Sequence, residues 1–502
     1  MSWNDYAFVT GDDGVLDRSS AADVRRIVAS ITDADHAVLH LHGGLVSEPS
    51  AKETVNALTP VYLEHGGAHP AFIIYRTGIL EILKGHLVEI ARESFYQSVL
   101  GKVLKWARGK LAAGVGAKSI GPADLPYAPD VRRELKKLER NEEPFAGATG
   151  TPEEISQAEL DQFQHELALD EDFEKACAAI VSAYIPEHDR DSKGVGGSGT
   201  VRAAERTLLS PEVVDELKGD RSGAKGWLST AKTIIRVGLV LKRVISRFRT
   251  GRDHGLYTTV VEELLRAFYL ASVGTAVWEA MKGETADTFL PGEPARGGRT
   301  FVDELAAQMA DGNRPPFSIV AHSLGSVFAC RLIDDLAACR ANPNHPLPAD
   351  FQLKNLILLA PAVNHSLFDL MLSQHSGLID NFRMFALTDS QEAGYWEVPG
   401  VYPRSLLYLV SGLLECDSAE NSVPDMPLVG MQRYFSNEGI YNMPDVQRVR
   451  RFLAEPGQNR LVWAVSDNGP GMSSDARKHG AFDDAPSETN TMLHVCHMLS
   501  QS

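Results

Sequence analysis

The residues whose types and spacing suit covalent chemistry lie in the run Ala321-His322-Ser323-Leu324-Gly325. A serine hydroxyl is presented as a nucleophile when the chain turns sharply from a strand into a helix, and such a turn needs small neighbours two residues away on each side. Ala321 and Gly325 occupy those two positions. The run 317–321 before the turn is apolar, and the residues after it are compatible with a helix. Ala321 stands where the first glycine of G-x-S-x-G would stand, which adds one methyl group without blocking the turn. Ser323 is therefore the expected nucleophile of an acyl transfer.

Acyl transfer places negative charge on a carbonyl oxygen, and each preorganised N–H donor aimed at that oxygen lowers the barrier by roughly 3–4 kcal/mol. One donor is expected from the residue after the nucleophile, Leu324. The second is expected from the loop after an early strand, where His42-Gly43-Gly44-Leu45 lets the backbone approach a substrate closely. Gly44 or Leu45 is the expected donor.

A serine hydroxyl also needs a histidine base, itself oriented by a carboxylate. His479, followed by Gly480 in a loop after the last strand-like run, is the expected base, ahead of His494 and His497. Asp389, just after the strand-like run 382–387, is the expected acid, with Glu392 or Asp417 as alternatives. An aspartate after a strand also serves as a turn or capping residue.

These residues must be held by a frame, and the apolar runs supply one. Runs 37–42, 71–75, 317–321, 356–360, 382–387 and 461–465 read as buried strands separated by helical or loop-rich stretches. That alternation predicts a parallel sheet covered on both faces. Between about 80 and 300 the pattern becomes long and helical, interrupted by the polar, Gly-rich stretch 187–200 and by 291–298. The expected division is a core of residues 1–80 and 300–502 with a helical insertion over 81–299. With 502 residues and 44% of them apolar, the chain has ample material for a large core and an extra lobe.

Charge and cysteine usage bound the function class. A net charge of −17 disfavours a nucleic-acid partner, which requires basic surface. The five cysteines are scattered without C-x-x-C spacing, so neither a zinc site nor a redox pair is expected. The paired histidines His40 and His42 lack a second ligand cluster, so no metal and no other cofactor is expected. The first residues have neither a basic start nor an apolar core, and no apolar run reaches membrane-spanning length, which gives an expectation of a soluble, cytoplasmic protein.

The elbow 321–325, the H-G-G loop 42–44 and the H-G-x-F segment 479–482 together resemble the α/β-hydrolase superfamily in its lipase and esterase branch, over residues 30–80 and 300–500. The insertion, including 252–257 and 278–282, is similar to that of uncharacterised bacterial hydrolases. The resemblance implies an eight-strand-type core sheet, a triad carried by Ser323, Asp389 and His479, and an acyl-enzyme intermediate on an ester or lipid-like substrate. A thioesterase, peptidase or acyltransferase would use the same triad, and a scaffold that has lost turnover would keep the fold. The insertion is expected to cap the elbow. Within it, Lys232, Arg236, Arg243 and Arg247 are expected on one side of a helix, with Ile234, Val237, Leu241, Val244, Ile245 and Phe248 opposite. Such a helix either packs on the cap or docks on an anionic membrane surface.

Overall fold

Short, nearly continuous apolar runs build the frame. Seven strands, β1 (Ala7–Thr10), β2 (Ala37–Leu41), β3 (His69–Tyr75), β4 (Phe317–His322), β5 (Leu353–Leu359), β6 (Ile379–Leu387) and β7 (Leu461–Ala464), form one sheet in the order β1-β3-β2-β4-β5-β6-β7. Every neighbouring pair is parallel. The computed structural model describes residues 2–44, 47–75, 79–114, 129–184, 208–210, 212–213, 227–269, 271–415 and 425–501.

Central strand β4 is buried along its whole length, and its side chains feed two cores. Ile319 and Ala321 join the cluster that holds Val24, Ile27 and Leu305, whereas Val320 joins Val55, Leu58 and Val495 on the other face. Parallel strands covered on both faces read as continuous apolar runs, which is why six of the strands stand out in the sequence. Among the described residues the sheet has seven strands where the resemblance implies eight, and β1 was not expected at all. Its four buried residues are too few, between Asp5 and Asp12, to give a pattern.

The flanking helices follow from caps and apolar faces. Helix Ala21–Thr32 starts at Ser20, whose hydroxyl accepts from the Asp23 N–H while the Asp23 carboxylate accepts from the Ser20 N–H. It packs against helix Gly297–Asp311, so the expected boundary at 299 falls inside a helix of the layer that covers the sheet. Between β3 and that helix, the described regular elements are all helical and include Ser94–Gly114, Gln157–Ala168, Trp227–Thr250, Leu256–Phe268 and Ala271–Asp287.

Helix Trp227–Thr250 corrects one expectation. Its apolar side, including Val237, Leu241, Val244 and Phe248, is buried inside the protein. Arg247 is buried too, with Nη1 2.7 Å from Glu262 and 3.1 Å from Glu263. The expected four-cation stripe therefore loses Arg247, which sits toward the packed side because of the two glutamates on Leu256–Phe268 that face it. Among the described residues, no helix is long and apolar enough to cross a membrane.

Candidate active site

The turn after β4 has the strain a presented nucleophile requires. Ser323 has φ of 52°, a left-handed value unusual for a residue with a Cβ. Local hydrogen bonds hold it there. The Ser323 N–H donates to Leu359 O on β5 at 2.9 Å, and the Ser323 carbonyl accepts from the N–H groups of Ser326 and Ala362 and from Ser326 Oγ. Gly325 is obligatory, because a Cβ there would lie 2.4 Å from Leu41 O. The chain then enters helix Gly325–Ala341, with Leu324 as its N-cap residue. The early N–H groups of a helix lack intrahelical acceptors, so Leu324 stands where a donor to an oxyanion is wanted.

The Gly43-Gly44 loop after β2 lies directly on this turn. A Cβ on Gly44 would fall 2.7 Å from Leu324 Cβ, and one on Gly43 would fall 3.4 Å from Ser323 Cβ. His42 fixes the loop's entry. Its Nδ1 is 2.7 Å from Gly43 O, its Nε2 accepts from the Tyr75 N–H at 3.2 Å, and its ring stacks on Tyr75. Burial brings the His42 pKa down to about 4, in keeping with a neutral ring that accepts at Nε2. Leu45, the other expected oxyanion donor, lies outside the described residues.

His479 reaches Ser323 from the last loop. After β7 the chain pairs Ser466 with Ser474, and Asp475 and Asn490 exchange backbone-to-side-chain hydrogen bonds. Phe482 is fully buried as an anchor, and Thr489 Oγ1 donates to Ala481 O at 2.9 Å. This brings His479 Nε2 to 2.9 Å from Ser323 Oγ. Burial first, and then the charge of His322, hold the His479 pKa well below the ordinary value. A neutral imidazole able to accept the serine proton is the consequence.

The expected acid is not brought to this histidine. Asp389 begins the short helix Asp389–Gly394, where Oδ1 accepts from the Tyr408 hydroxyl at 2.8 Å and its N–H donates to Gln432. Glu392 is buried and its carboxyl is pushed up to about 8, so at neutral pH it lacks the charge needed to stabilise an imidazolium. Asp417 lies outside the described residues. His494 accepts from the Gly471 N–H, and His497 lines a cavity at the opposite end of the sheet. His479 Nδ1 is buried and has no hydrogen-bond partner among the described residues.

A carboxylate that the sequence did not single out occupies the site instead. Asp483 Oδ2 accepts from His322 Nδ1 at 3.0 Å and lies 3.6 Å from His40 Nε2, while His40 Nδ1 is 2.8 Å from the Tyr62 hydroxyl. His322 Nε2 donates to the main-chain carbonyl of His479 at 3.1 Å. Despite burial, these partners, chiefly Asp483, raise the His322 pKa above the ordinary value, and the histidine beside it drives Asp483 far below the carboxylate range. Both residues were visible as neighbours, one immediately before Ser323 and one four residues after His479, but neither spacing by itself signals a role.

Ser323 and His479 open on a cavity of about 380 Å³, whose walls include Gly43, Gly44, Lys84, Tyr395, Glu397 and Lys478. Lys84 pairs with Glu397. The cavity lies beyond the carboxyl ends of β2 and β4, where open parallel sheets bind ligands. A larger cavity, of about 670 Å³, lies at the amino ends of β5 and β6, beside Asn381, Arg383 and Arg460. Among the described residues, no group of three His, Cys, Asp or Glu side chains is arranged to hold a metal ion.

No protein-family model matches the chain, no curated protein is found similar to it, and no solved structure matches it.

Proposed function

We propose that the chain is a serine hydrolase of the α/β-hydrolase kind, cleaving an ester or similar acyl compound through an acyl-enzyme. The observation that carries this reading is the 2.9 Å approach of His479 Nε2 to the hydroxyl of a serine held at φ of 52° on a strand-to-helix turn. A buried serine kept at a strained backbone angle and aimed at a neutral histidine has no evident packing purpose, and it matches the requirements of an activated nucleophile.

In this reading Ser323 Oγ attacks the acyl carbonyl as His479 Nε2 takes its proton. The oxygen that becomes negative is stabilised by the Leu324 N–H and by the Gly43-Gly44 loop. His479 then protonates the leaving alcohol, and the carbon–oxygen bond breaks. Water attacks the acyl group in the second half, giving its proton to His479, which passes it to Ser323 Oγ as the acyl–Oγ bond breaks and the acid is released. The segment between β3 and β4 contributes Lys84 to the cavity wall, which supports a role for it in selecting the acyl group.

The test is a pre-steady-state burst with a short-chain nitrophenyl ester. The expected result is about one equivalent of nitrophenol released per folded chain, with no burst from Ser323→Ala. A burst that survives this substitution contradicts the assignment of the nucleophile.

A further inference from the structure

We propose that Asp483 and His322 are the positioning pair of this site: His322 donates from Nδ1 to the Asp483 carboxylate and from Nε2 to the His479 main-chain carbonyl, and so fixes the His479 ring against Ser323. The inference rests on the hydrolase reading above and deepens it, because it replaces a carboxylate on the base itself with one that acts through the residue preceding the nucleophile.

The geometry requires His322 to carry two protons. Its neighbours at 3.0 and 3.1 Å are a carboxylate and a carbonyl, and neither can donate. A neutral imidazole has one N–H and would leave one of these contacts unmade. The pair is buried, with His322 and Asp483 side chains 6% and 11% exposed, so their mutual attraction is little screened by water. The His479 ring centroid stands 5.3 Å from that of His322, with the two planes inclined at 33°. A loop histidine is thereby tied, through its own carbonyl, to the strand that leads into Ser323. Small errors in the placement of a base cost about 100-fold in rate, which is the scale of effect assigned to this tie.

The charged and titratable groups around His322 come from three elements. His40 and His42 approach from β2 and the loop after it, and Lys84 from helix Ile79–Ile90. The last loop supplies His479, Asp483, Asp484 and Lys478. Of these, Asp483 alone makes a side-chain hydrogen bond to the His322 ring. The rate should therefore rise with pH as His479 becomes neutral, at a pH below the ordinary histidine value of about 6.5, and fall again as His322 loses its second proton, above that value.

The experiment measures the rate of inactivation by a fluorophosphonate from pH 5 to 10 for the full chain and for Asp483→Asn, Asp483→Glu, His322→Gln and Asp389→Asn, with circular dichroism to check folding. Wild type is expected to give a bell-shaped profile. Asp483→Asn is expected to be about 100-fold slower, with its alkaline limb moved to lower pH, and Asp483→Glu to recover part of the loss. His322→Gln keeps an uncharged donor and is expected to have no alkaline limb, a change that a merely structural role would not produce. Asp389→Asn is expected to stay within about threefold of wild type, against the roughly 10⁴-fold loss known for a triad acid. An unchanged profile in Asp483→Asn, or a loss of the triad size in Asp389→Asn, overturns the proposal. Where Asp483→Asn does not fold, an alkaline limb retained by His322→Gln overturns it. Wild type that is not inactivated at all refutes the hydrolase reading itself.

Discussion

Two buried clusters in this protein set carboxylates against basic side chains and have opposite character. In the helical segment, Glu262 and Glu263 face Arg247, Arg266, His254 and the Tyr402 hydroxyl, and Arg247, Glu262, Glu263 and His254 are at most 2% exposed. At the end of the sheet, Asp483 pairs with two histidines, His322 and His40, and the cluster borders a cavity lined also by Ser323 and His479. Permanent cations against carboxylates in a sealed core make a cross-link. Titratable partners against a carboxylate, beside a serine in hydrogen-bond contact with a histidine, make a cluster whose charge can change with pH.

Substitutions separate the two clusters by kind of effect as well as by size. Ser323→Ala is expected to reduce ester turnover by roughly 10⁵- to 10⁶-fold with unfolding by urea unchanged, measured in parallel on one preparation. Arg247→Met is expected to destabilise the fold by about 3–5 kcal/mol, since it takes from buried Glu262 its arginine and from Glu263 one of its two, while the folded fraction keeps its turnover per site. A loss of turnover without a loss of stability in Arg247→Met would erase the distinction. Gly325→Ala sharpens it from the other side: its Cβ would meet Leu41 O at 2.4 Å, so the elbow must shift, and an approximately 100-fold loss of turnover is expected. Wild-type turnover in that variant would show that the elbow geometry is not needed.

The smallest expected effect concerns pH and stability. Burial depresses the folded-state pKa of His42 and His365, to about 4 and about 3, and lowers those of His254 and His479 as well. The unfolded chain takes up protons near pH 6.5 that the folded chain refuses, so stability is lost as pH falls from 7 to 5. His322 works in the opposite sense, because its folded value is raised: its contribution is fully present below the unfolded value and disappears as pH rises through the folded one. The depressed histidines outnumber His322, so the net expectation is a loss of stability between pH 7 and 5, read from urea midpoints. A midpoint that rises over this interval contradicts the neutral state of the buried histidines.

How far the sequence carried the reading depends on how local each signal was. The strand before Ser323, the small residues around it and the Gly43-Gly44 loop are patterns within a few residues, and the structure places them together. His479 was identified by its place after the last strand, and the loop folds back as that place required. Asp389 was chosen by the same logic of position. The chain after β6 instead turns into a helix where Tyr408 holds the carboxylate. The role of Arg247 was also illegible, because the helix periodicity of residues 232–248 does not reveal that a neighbouring helix presents two glutamates to its edge. Tertiary pairings of charge leave no periodic trace in one segment.

The most direct test of the central claim is the mass-spectrometric mapping of a fluorophosphonate adduct on the intact chain at pH 7.5. The account predicts a single adduct on the peptide carrying Ser323, lost in Ser323→Ala and formed at least about 1,000-fold more slowly in His479→Ala. An adduct on another serine, or one that forms on Ser323 at the wild-type rate without His479, would contradict it.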